Sequence, residues 1–341
     1  MGQITWSNAG FTVRERQMEK ILELEGISKW FTIKKHFGKR SYLKAVDDVH
    51  FFVDRGETFG LVGESGCGKT TLGRLVVRLY QPTSGRVIYH ENNNLVDLSS
   101  LDEKSFQKYR AKIQMIFQDP YSSLNPRLTV LQIVTEGLSS SSLSISDKKR
   151  LASQALENVG LRPEYLYRYP HEFSGGQRQR IGIARALIMQ PELLICDEPV
   201  SALDVSVQAQ VINLLTALKE KYKLTYIFIA HDLAVVKYIS DRIAVMYLGK
   251  LVELSNSKDL FNHPLHPYTQ ALIASVPVAD PKMRKLAKIQ PIQGEITSPI
   301  DPPQACLFAS RCPYAMKICH QGIPELKTVE NSHQVACFLY H

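Results

Sequence analysis

A glycine-rich segment of eight residues constrains the fold of this chain more than any other feature. It runs from Gly63 to Thr70 and fits the pattern G-x-x-x-x-G-K-[ST]. The apolar run 58–62 ends directly before it, and residues 70–80 carry apolar side chains at helical spacing. A strand, a glycine loop and a helix in this order predict a phosphate-binding loop, because inward-facing backbone N–H groups and a helix N-terminus both favour anions.

The side chains of this loop have distinct predicted roles. Lys69 is expected to reach the β- and γ-phosphates of a nucleotide, and the Thr70 hydroxyl is placed to ligate Mg²⁺. Cys67 is expected to serve as a small residue within the loop. The predicted nucleotide-binding residues of this segment are Gly63, Glu64, Ser65, Gly66, Cys67, Gly68, Lys69, Thr70 and Thr71.

Two carboxylates follow a second apolar run, at residues 193–196, which is predicted to be a buried strand. Asp197 is expected to hold Mg²⁺ directly or through water, and Glu198 to orient or deprotonate the attacking water. Together with the phosphate loop, this pair indicates a nucleoside triphosphatase and nothing narrower.

The remaining pattern predicts an α/β protein with a mostly parallel sheet, because short apolar runs alternate with helical segments. After about residue 264 prolines become frequent and periodic runs become short. Further strands are predicted at 20–31, 44–53, 113–117, 224–230 and 241–248, a helix at 208–222, and a mostly helical block at 126–187.

Composition restricts the function classes. The chain has 341 residues and no apolar run of the roughly 18 residues that a membrane span needs, and the N-terminus does not have the pattern of a secretory signal. It is therefore expected to stay in the cytoplasm. The net charge is +8, but the densest basic run, at 34–40, is short and aromatic residues do not interleave with basic ones at base-stacking intervals, so no nucleic-acid partner is expected.

Four further motifs narrow the class of nucleoside triphosphatase. Together with the phosphate loop and the Asp197–Glu198 pair, they resemble the ATP-binding-cassette (ABC) family over about residues 22–260. One departure is Phe173, where the family usually has Leu. The four further motifs are the signature sequence Phe173-Ser174-Gly175-Gly176-Gln177, the glutamine loop at Gln118, the dimer-contact loop Ser201-Ala-Leu-Asp204, and the switch histidine His231.

The resemblance implies how these residues act on ATP. Two cassettes would pair head to tail, so that the signature sequence of one subunit and the phosphate loop of the other enclose each ATP. Gln118 would touch Mg²⁺ and water, and His231 would contact the γ-phosphate. An aromatic residue usually stacks on adenine, and Tyr42 is the candidate here, with Phe37 as the alternative.

Several strings resemble the dipeptide/oligopeptide importer branch of the family, and the second ATPase of its usual pair. They lie at 62–69, 117–126 and 263–269, and the C-terminal region from Gly294 to Cys337 matches as well. The resemblance implies a heterodimer with a paralogous ABC ATPase, two transmembrane permeases, an extracytoplasmic substrate-binding protein and a peripheral position on the cytoplasmic face of the membrane. Related importers carry nickel or oligosaccharides. A soluble ABC ATPase acting on nucleic acid or ribosomes, or a nonenzymatic binding module, fits the sequence less well.

The expected architecture is a P-loop α/β ABC cassette with an antiparallel β subdomain, an inserted helical subdomain and a small C-terminal Cys-rich appendage. The predicted boundaries are 1–20 for a flexible N-terminus, 21–262 for the ATPase domain with its helical part at about 119–188, and 263–341 for the C-terminal domain.

Four of the six cysteines crowd the end of the chain, with the spacing C-x5-C-x6-C-x17-C. Four thiolates can hold a [4Fe–4S] cluster or a tetrahedral Zn²⁺. Some members of the resembled branch carry an iron–sulfur cluster here, which favours Fe–S over zinc or free thiols. The predicted ligands are Cys306, Cys312, Cys319 and Cys337, with His320 and His333 ranked lower.

Overall fold

The computed structural model describes residues 19–34, 40–92, 94–139, 141–275, 297–330 and 332–340. Its first sheet is antiparallel, four-stranded and built mainly from two long N-terminal strands. Bulges interrupt the pairing of these two strands between Leu24 and Trp30. In sheet order the strands are β2 (Arg40–Asp54), β1 (Lys20–Lys34), β4 (Ser84–Glu91) and β5 (Asn94–Asp97).

The second sheet has eight strands and is parallel at its centre. Its strand order is β11-β12-β10-β9-β3-β8-β7-β6, with parallel pairing from β9 to β6 and antiparallel pairing from β9 to β11. The strands are β3 (Thr58–Val62), β6 (Ile113–Ile116), β7 (Leu193–Asp197), β8 (Thr225–Ile229), β9 (Arg242–Tyr247), β10 (Lys250–Asn256), β11 (Lys327–Glu330) and β12 (His333–Val335).

Both faces of this central sheet are covered, so its middle strands are continuously apolar. Alternate residues of β7 point into two separate apolar clusters: Leu194 joins one and Ile195 the other. The cluster around Ile195 includes residues of the four-stranded sheet, such as Leu22. The cluster around Leu194 includes residues of the helical part, such as Leu156.

The helices begin where polar side chains can cap them. Asp102 and Ser144 each accept a backbone hydrogen bond at a helix start, and Ser174 forms a capping box with Gln177. The helices are α1 (Lys69–Val76), α2 (Glu103–Lys112), α3 (Val130–Val134), α4 (Ile145–Asn158), α5 (Gly175–Leu187), α6 (Val205–Tyr222), α7 (Leu233–Ile239), α8 (Ser257–Asn262) and α9 (Pro267–Ala274).

The C-terminal region is joined to the central sheet. Strand β12 pairs antiparallel with β10, and Leu307 and Phe308 enter the same apolar cluster as the helical part. The buried carboxyl group of Glu253 in β10 accepts hydrogen bonds from the backbone N–H groups of Leu265 and His266, and its Oε1 lies 2.7 Å from His333 Nε2. The described part of this region is therefore hydrogen-bonded to the central sheet of the cassette. The predicted domain boundary between 262 and 263 stays a prediction.

The predicted α/β architecture is confirmed, with differences at the edges. Strand β3 has the predicted limits, and helix α6 starts three residues before its predicted start. Strands β4 and β10 and helix α2 were not predicted. The predicted flexible N-terminus lies almost wholly outside the described residues. Within the described ranges, no helix is both long and apolar enough to cross a bilayer.

Candidate nucleotide-binding and catalytic site

A cleft of ≈ 550 Å³ opens above the carboxyl ends of the central parallel strands. This is where ligands bind in open α/β sheets. Its walls come from the phosphate loop, from the four-stranded sheet, and from single residues of distant segments. The lining residues are Phe31, Leu43, Lys44, Ala45, Ser65, Gly66, Gly68, Lys69, Thr70, Thr71, Gln118, Glu198, His231, Leu248, Gly249 and Pro299.

The phosphate loop connects β3 to α1, as the sequence predicts. Gly68 has a φ of 108°, and a Cβ there would overlap the carbonyl oxygen of Ala45, so only glycine fits between the two sheets. The Lys69 ammonium is buried and donates to the carbonyl oxygens of Gly63 at 2.8 Å and Glu64 at 3.0 Å. The loop thus holds its cation over a cradle of backbone groups.

Asp197 ends strand β7 next to this loop. Its Oδ1 accepts a hydrogen bond of 2.9 Å from the Thr70 hydroxyl, so two of the three predicted Mg²⁺ ligands are in contact, the third being Gln118. Burial raises the pKa of the Asp197 carboxyl, while the Thr70 hydrogen bond opposes the rise. A hydroxyl and a carboxylate supply oxygen ligands, which Mg²⁺ prefers, so this pair would suit a bound Mg²⁺.

The other two predicted catalytic side chains, Gln118 and His231, lie close to one carboxylate oxygen of Glu198. Gln118 Nε2 donates to Glu198 Oε2 at 2.7 Å, and His231 Nδ1 lies 3.4 Å from the same oxygen. Glu198 has a φ of 45°, unusual for a residue with a side chain, and its N–H donates to Ile229 O at 2.9 Å. The backbone therefore turns the Glu198 carboxyl into the cleft, next to Gln118 and His231.

The signature residues lie elsewhere. Ser174 caps α5, with Gly175, Gly176 and Gln177 in its first turn, and none of them is among the residues that line the cleft. A Cβ at Gly176 would overlap Val207, so this glycine allows α5 and α6 to approach closely. Asp204 sits at the start of α6. The structure therefore separates this predicted set from the phosphate loop of the same chain.

The predicted adenine contact is not settled by the described residues. The Tyr42 ring is partly exposed and lies 6.2 Å from the Trp30 ring, and it is outside the cleft lining. Phe37 lies outside the described residues. The aromatic residue that lines the cleft is Phe31, at the end of β1 that faces the phosphate loop. The choice of Tyr42 stays a prediction.

Sequence reasoning missed the contribution of the C-terminal region to the cleft. Residue Pro299 lines it, and its carbonyl oxygen accepts a hydrogen bond of 3.1 Å from the Lys44 N–H. Beside this contact, the Asp301 N–H donates to the Tyr42 carbonyl oxygen and the Tyr42 N–H donates to the Asp301 carboxylate Oδ1, both at 2.9 Å. An antiparallel bridge between Leu43 and Ile300 continues the edge of β2. No local motif marks such a contact, because it joins residues more than 250 positions apart.

The four C-terminal cysteines lie near one another without forming a ligand set. Burial, with smaller contributions from the neighbouring thiols of Cys319, Cys337 and Cys312, raises the pKa of the Cys306 thiol to about 11. The Cys306 N–H also donates to Cys319 O at 2.9 Å. In the part of the chain that the structure describes, no three His, Cys, Asp or Glu side chains are arranged to hold a metal ion.

Two family models match this chain, one for each region. The model described as ABC transporter matches residues 46–201, and the one described as oligopeptide/dipeptide transporter, C-terminal region matches residues 252–319. The chain is 54% identical over 312 residues to a putative oligopeptide transport ATP-binding protein, YkfD, of Bacillus subtilis, covering 90% of this chain and 94% of the relative. It is 51% identical to the oligopeptide transport ATP-binding protein AppF of the same organism, covering 94% and 98%.

Solved structures agree with this match. A dimeric ATP-binding cassette in a post-hydrolysis state, bound to ADP and Pi, superposes with a TM-score of 0.61 at 27% identity, covering 70% of this chain and 99% of that one. A component of an ABC transporter complex from Clostridium perfringens, cbiO1, gives a TM-score of 0.60 at 28% identity, covering 72% and 92%.

Proposed function

Since this chain belongs to the ABC transporter family and to its oligopeptide transport ATP-binding proteins, we propose that it hydrolyses MgATP in the cleft described above to drive import of dipeptides or oligopeptides. The observation that carries the proposal is the Glu198 carboxyl, which meets Gln118 and His231 beside the phosphate loop. A base held next to a triphosphate cradle is the arrangement that water attack on a γ-phosphate requires.

The proposed hydrolysis assigns a step to each side chain. The phosphate-loop N–H groups and Lys69 bind the β- and γ-phosphates, and Thr70 and Asp197 hold Mg²⁺, which neutralises phosphate charge when bound. Glu198 orients a water and accepts its proton as the water oxygen bonds to the γ-phosphorus and the bond to the bridging oxygen breaks. His231 and Gln118 hold the Glu198 carboxyl in place, and His231 contacts the γ-phosphate.

We propose that each complete site needs two chains. Ser174 and the first turn of α5 form a helix N-terminus that does not line this chain's own cleft, and such a terminus suits a γ-phosphate held by another cassette. A paralogous ATPase as the second cassette follows from the resemblance to the second ATPase of an importer pair. The isolated chain is therefore expected to hydrolyse ATP weakly, and full turnover by a strict monomer in analytical ultracentrifugation would contradict a composite site.

The remaining partners follow from the family. Two membrane permeases would hold the chain at the cytoplasmic face of the membrane, and an extracytoplasmic binding protein would deliver cargo to them. The test is uptake by vesicles that contain the assembled complex. Labelled di- and oligopeptides are expected to accumulate only when ATP is supplied on the side of the membrane that carries the ATPase. Accumulation of nickel or an oligosaccharide in place of peptides would reassign the cargo.

A separate proposal concerns Cys306, Cys312, Cys319 and Cys337, which we infer to hold a [4Fe–4S] cluster, with Zn²⁺ as the alternative. Four thiolates are the donor set that either group requires, and the 2.9 Å hydrogen bond from the Cys306 N–H to the Cys319 carbonyl oxygen brings two of these residues together. The side chains as placed in the structure do not yet form a ligand group, so binding a metal would require them to turn toward one point. Anaerobically purified protein is expected to contain about four irons per chain. Stoichiometric zinc without iron would assign the alternative, and the absence of both metals would remove the metal site.

A further inference from the structure

Glu64 places a carboxylate inside a loop that binds anions. It is the second residue of the phosphate loop, directly after Gly63. A negative charge at this position opposes the binding of a triphosphate unless another group compensates it. The proposed reaction offers no role for this carboxylate, so its surroundings decide what it does.

The compensating group comes from the C-terminal region, 247 residues away in sequence. Arg311 Nη1 donates to Glu64 Oε2 and Arg311 Nη2 to Glu64 Oε1, both at 3.0 Å, which is a two-pronged guanidinium–carboxylate pair. Only 8% of the Arg311 side chain and 24% of the Glu64 side chain are exposed, so solvent screens this pair less than a surface pair.

The backbone of Glu64 is also fixed from the same side. Its N–H donates to the hydroxyl of Tyr268 at 2.8 Å, and Tyr268 is fully buried in α9. The rings of Tyr247 and Phe308 lie 4.7 Å and 5.5 Å from the Tyr268 ring. Arg311 in turn donates to the Tyr247 hydroxyl at 3.3 Å. An aromatic cluster thus orients both groups that hold Glu64.

The contact continues to the phosphate-binding lysine. The Glu64 carbonyl oxygen accepts the 3.0 Å hydrogen bond from Lys69 Nζ. A displacement of Glu64 would therefore move a hydrogen-bond partner of the one cation in this loop. Three residues, Arg311, Glu64 and Lys69, form a continuous polar chain from the C-terminal region to the phosphate site.

We propose that Arg311 is a positioning residue of the phosphate loop, and that it raises affinity for MgATP by neutralising Glu64 and holding the loop in place. The inference rests on the proposed nucleotide site and adds that the C-terminal region takes part in it. A purely structural role for the pair, in which Arg311 only attaches the C-terminal region to the cassette, makes a different prediction. In that case Arg311→Ala would lower the stability of the chain and leave its affinity for MgATP unchanged, because affinity would not depend on the charge of Glu64.

The test is a double-mutant cycle on the full-length chain, with equilibrium binding of MgATP as the readout. Arg311→Ala is expected to weaken binding about tenfold, because it leaves an uncompensated negative charge in the anion site. Glu64→Gln alone is expected to bind within about threefold of wild type. The double variant Glu64→Gln/Arg311→Ala is expected to regain most of the lost affinity.

Matched variants separate the outcomes. Arg86→Ala removes a positive charge from an exposed pair with Glu25 and should leave binding unchanged. If Arg311→Ala does not fold, Arg311→Gln replaces it in the cycle, because it keeps a planar polar side chain without the charge. Wild-type affinity in Arg311→Ala, or a double variant as weak as the single one, would overturn the inference. Absence of MgATP binding by the wild-type chain would instead overturn the proposed function.

Discussion

The two sides of the nucleotide cleft are built in different ways. On one side, the phosphate loop and the Asp197–Glu198 pair follow directly from buried strands, β3 and β7, whose hydrogen-bonded neighbours fix their position. On the other side, the C-terminal region contributes single residues, Pro299 and Arg311, from segments without long strands or helices. The first side contains the proposed phosphate-binding and catalytic residues in contiguous motifs. The second side contacts these motifs through single residues that are distant in sequence.

The largest expected effect is on catalysis, at the side of the cleft formed by the phosphate loop and the Asp197–Glu198 pair, called here the strand-built side. Glu198→Gln removes the proposed base and is expected to lower the rate of ATP hydrolysis by about 10²–10⁴-fold, while ATP binding is retained. The measurement is phosphate release by the assembled complex with the paired ATPase silenced. Near-normal turnover would show that the side chains gathered around Glu198 Oε2 are not the catalytic centre.

The next effect concerns how firmly the C-terminal side is attached. Glu253→Ala is expected to lower the free energy of unfolding by about 3 kcal/mol or more, because it leaves the buried donors of Leu265, His266 and His333 without their acceptor. Urea unfolding measures this loss. Glu330→Ala, on the exposed strand β11, is the control and should change stability by less than about 0.5 kcal/mol. Equal stability of the two variants would mean that the C-terminal side does not depend on this buried carboxyl.

A third prediction compares affinity with turnover on the strand-built side. Lys69→Ala is expected to weaken ATP binding about 10- to 100-fold, because hydrogen bonds to charged groups contribute about 1.5–3 kcal/mol each. Lys69 contacts phosphates in the ground state and the transition state alike, so its loss reduces binding as well as turnover. Equilibrium titration with MgATP is the measurement, and unchanged affinity would mean that the loop does not bind phosphates as proposed.

The smallest predicted effect is a pH dependence of stability on the C-terminal side. Burial lowers the pKa of His266 to about 4, below the ordinary value of 6.5, and its Nδ1 accepts from the Tyr268 N–H. Between about pH 6.5 and pH 4, the His266 side chain is protonated in the unfolded chain but not in the folded chain. The free energy of unfolding therefore falls as the pH decreases through this range. The loss between pH 7 and pH 5 is about 1–2 kcal/mol.

His266→Asn is the matched control for this pH dependence, because asparagine can cap α9 through its oxygen and does not titrate. Urea unfolding at both pH values is expected to show a smaller decrease in the variant than in the wild type. An equal decrease in both proteins would place the acid sensitivity on other groups.

The strand-built side could be predicted from the sequence because its signals are local. Strand β3 is a run of five fully buried residues that ends at a glycine, and both of its limits were predicted. Helix α2 was missed because only Phe106 and Tyr109 of its ten residues are buried, so its sequence is almost entirely polar. Strand β10 was not predicted; only the two residues Leu248 and Gly249 separate it from β9, so the two strands are not divided by a long polar loop.

The site itself was predicted only in part, for the same physical reason. Gln118, Glu198 and His231 were named from motifs, and the structure brings them together. The contacts of Glu64 with Arg311 and of Lys44 with Pro299 depend on the way the chain returns to the cassette after α9. Nothing in the residues around Arg311 or Pro299 indicates which partner they meet.

The pairing of β12 with β10 has a consequence for biosynthesis. Glu253 and Val335 face each other across this pair, so about 80 residues are translated between them. At about 5–20 residues per second, the outer edge of β10 stays unpaired for several seconds after it leaves the ribosome. Unpaired edges are prone to aggregate, so the nascent cassette depends on strand β12 for protection of this edge, and deletion of β12 is expected to reduce the soluble yield.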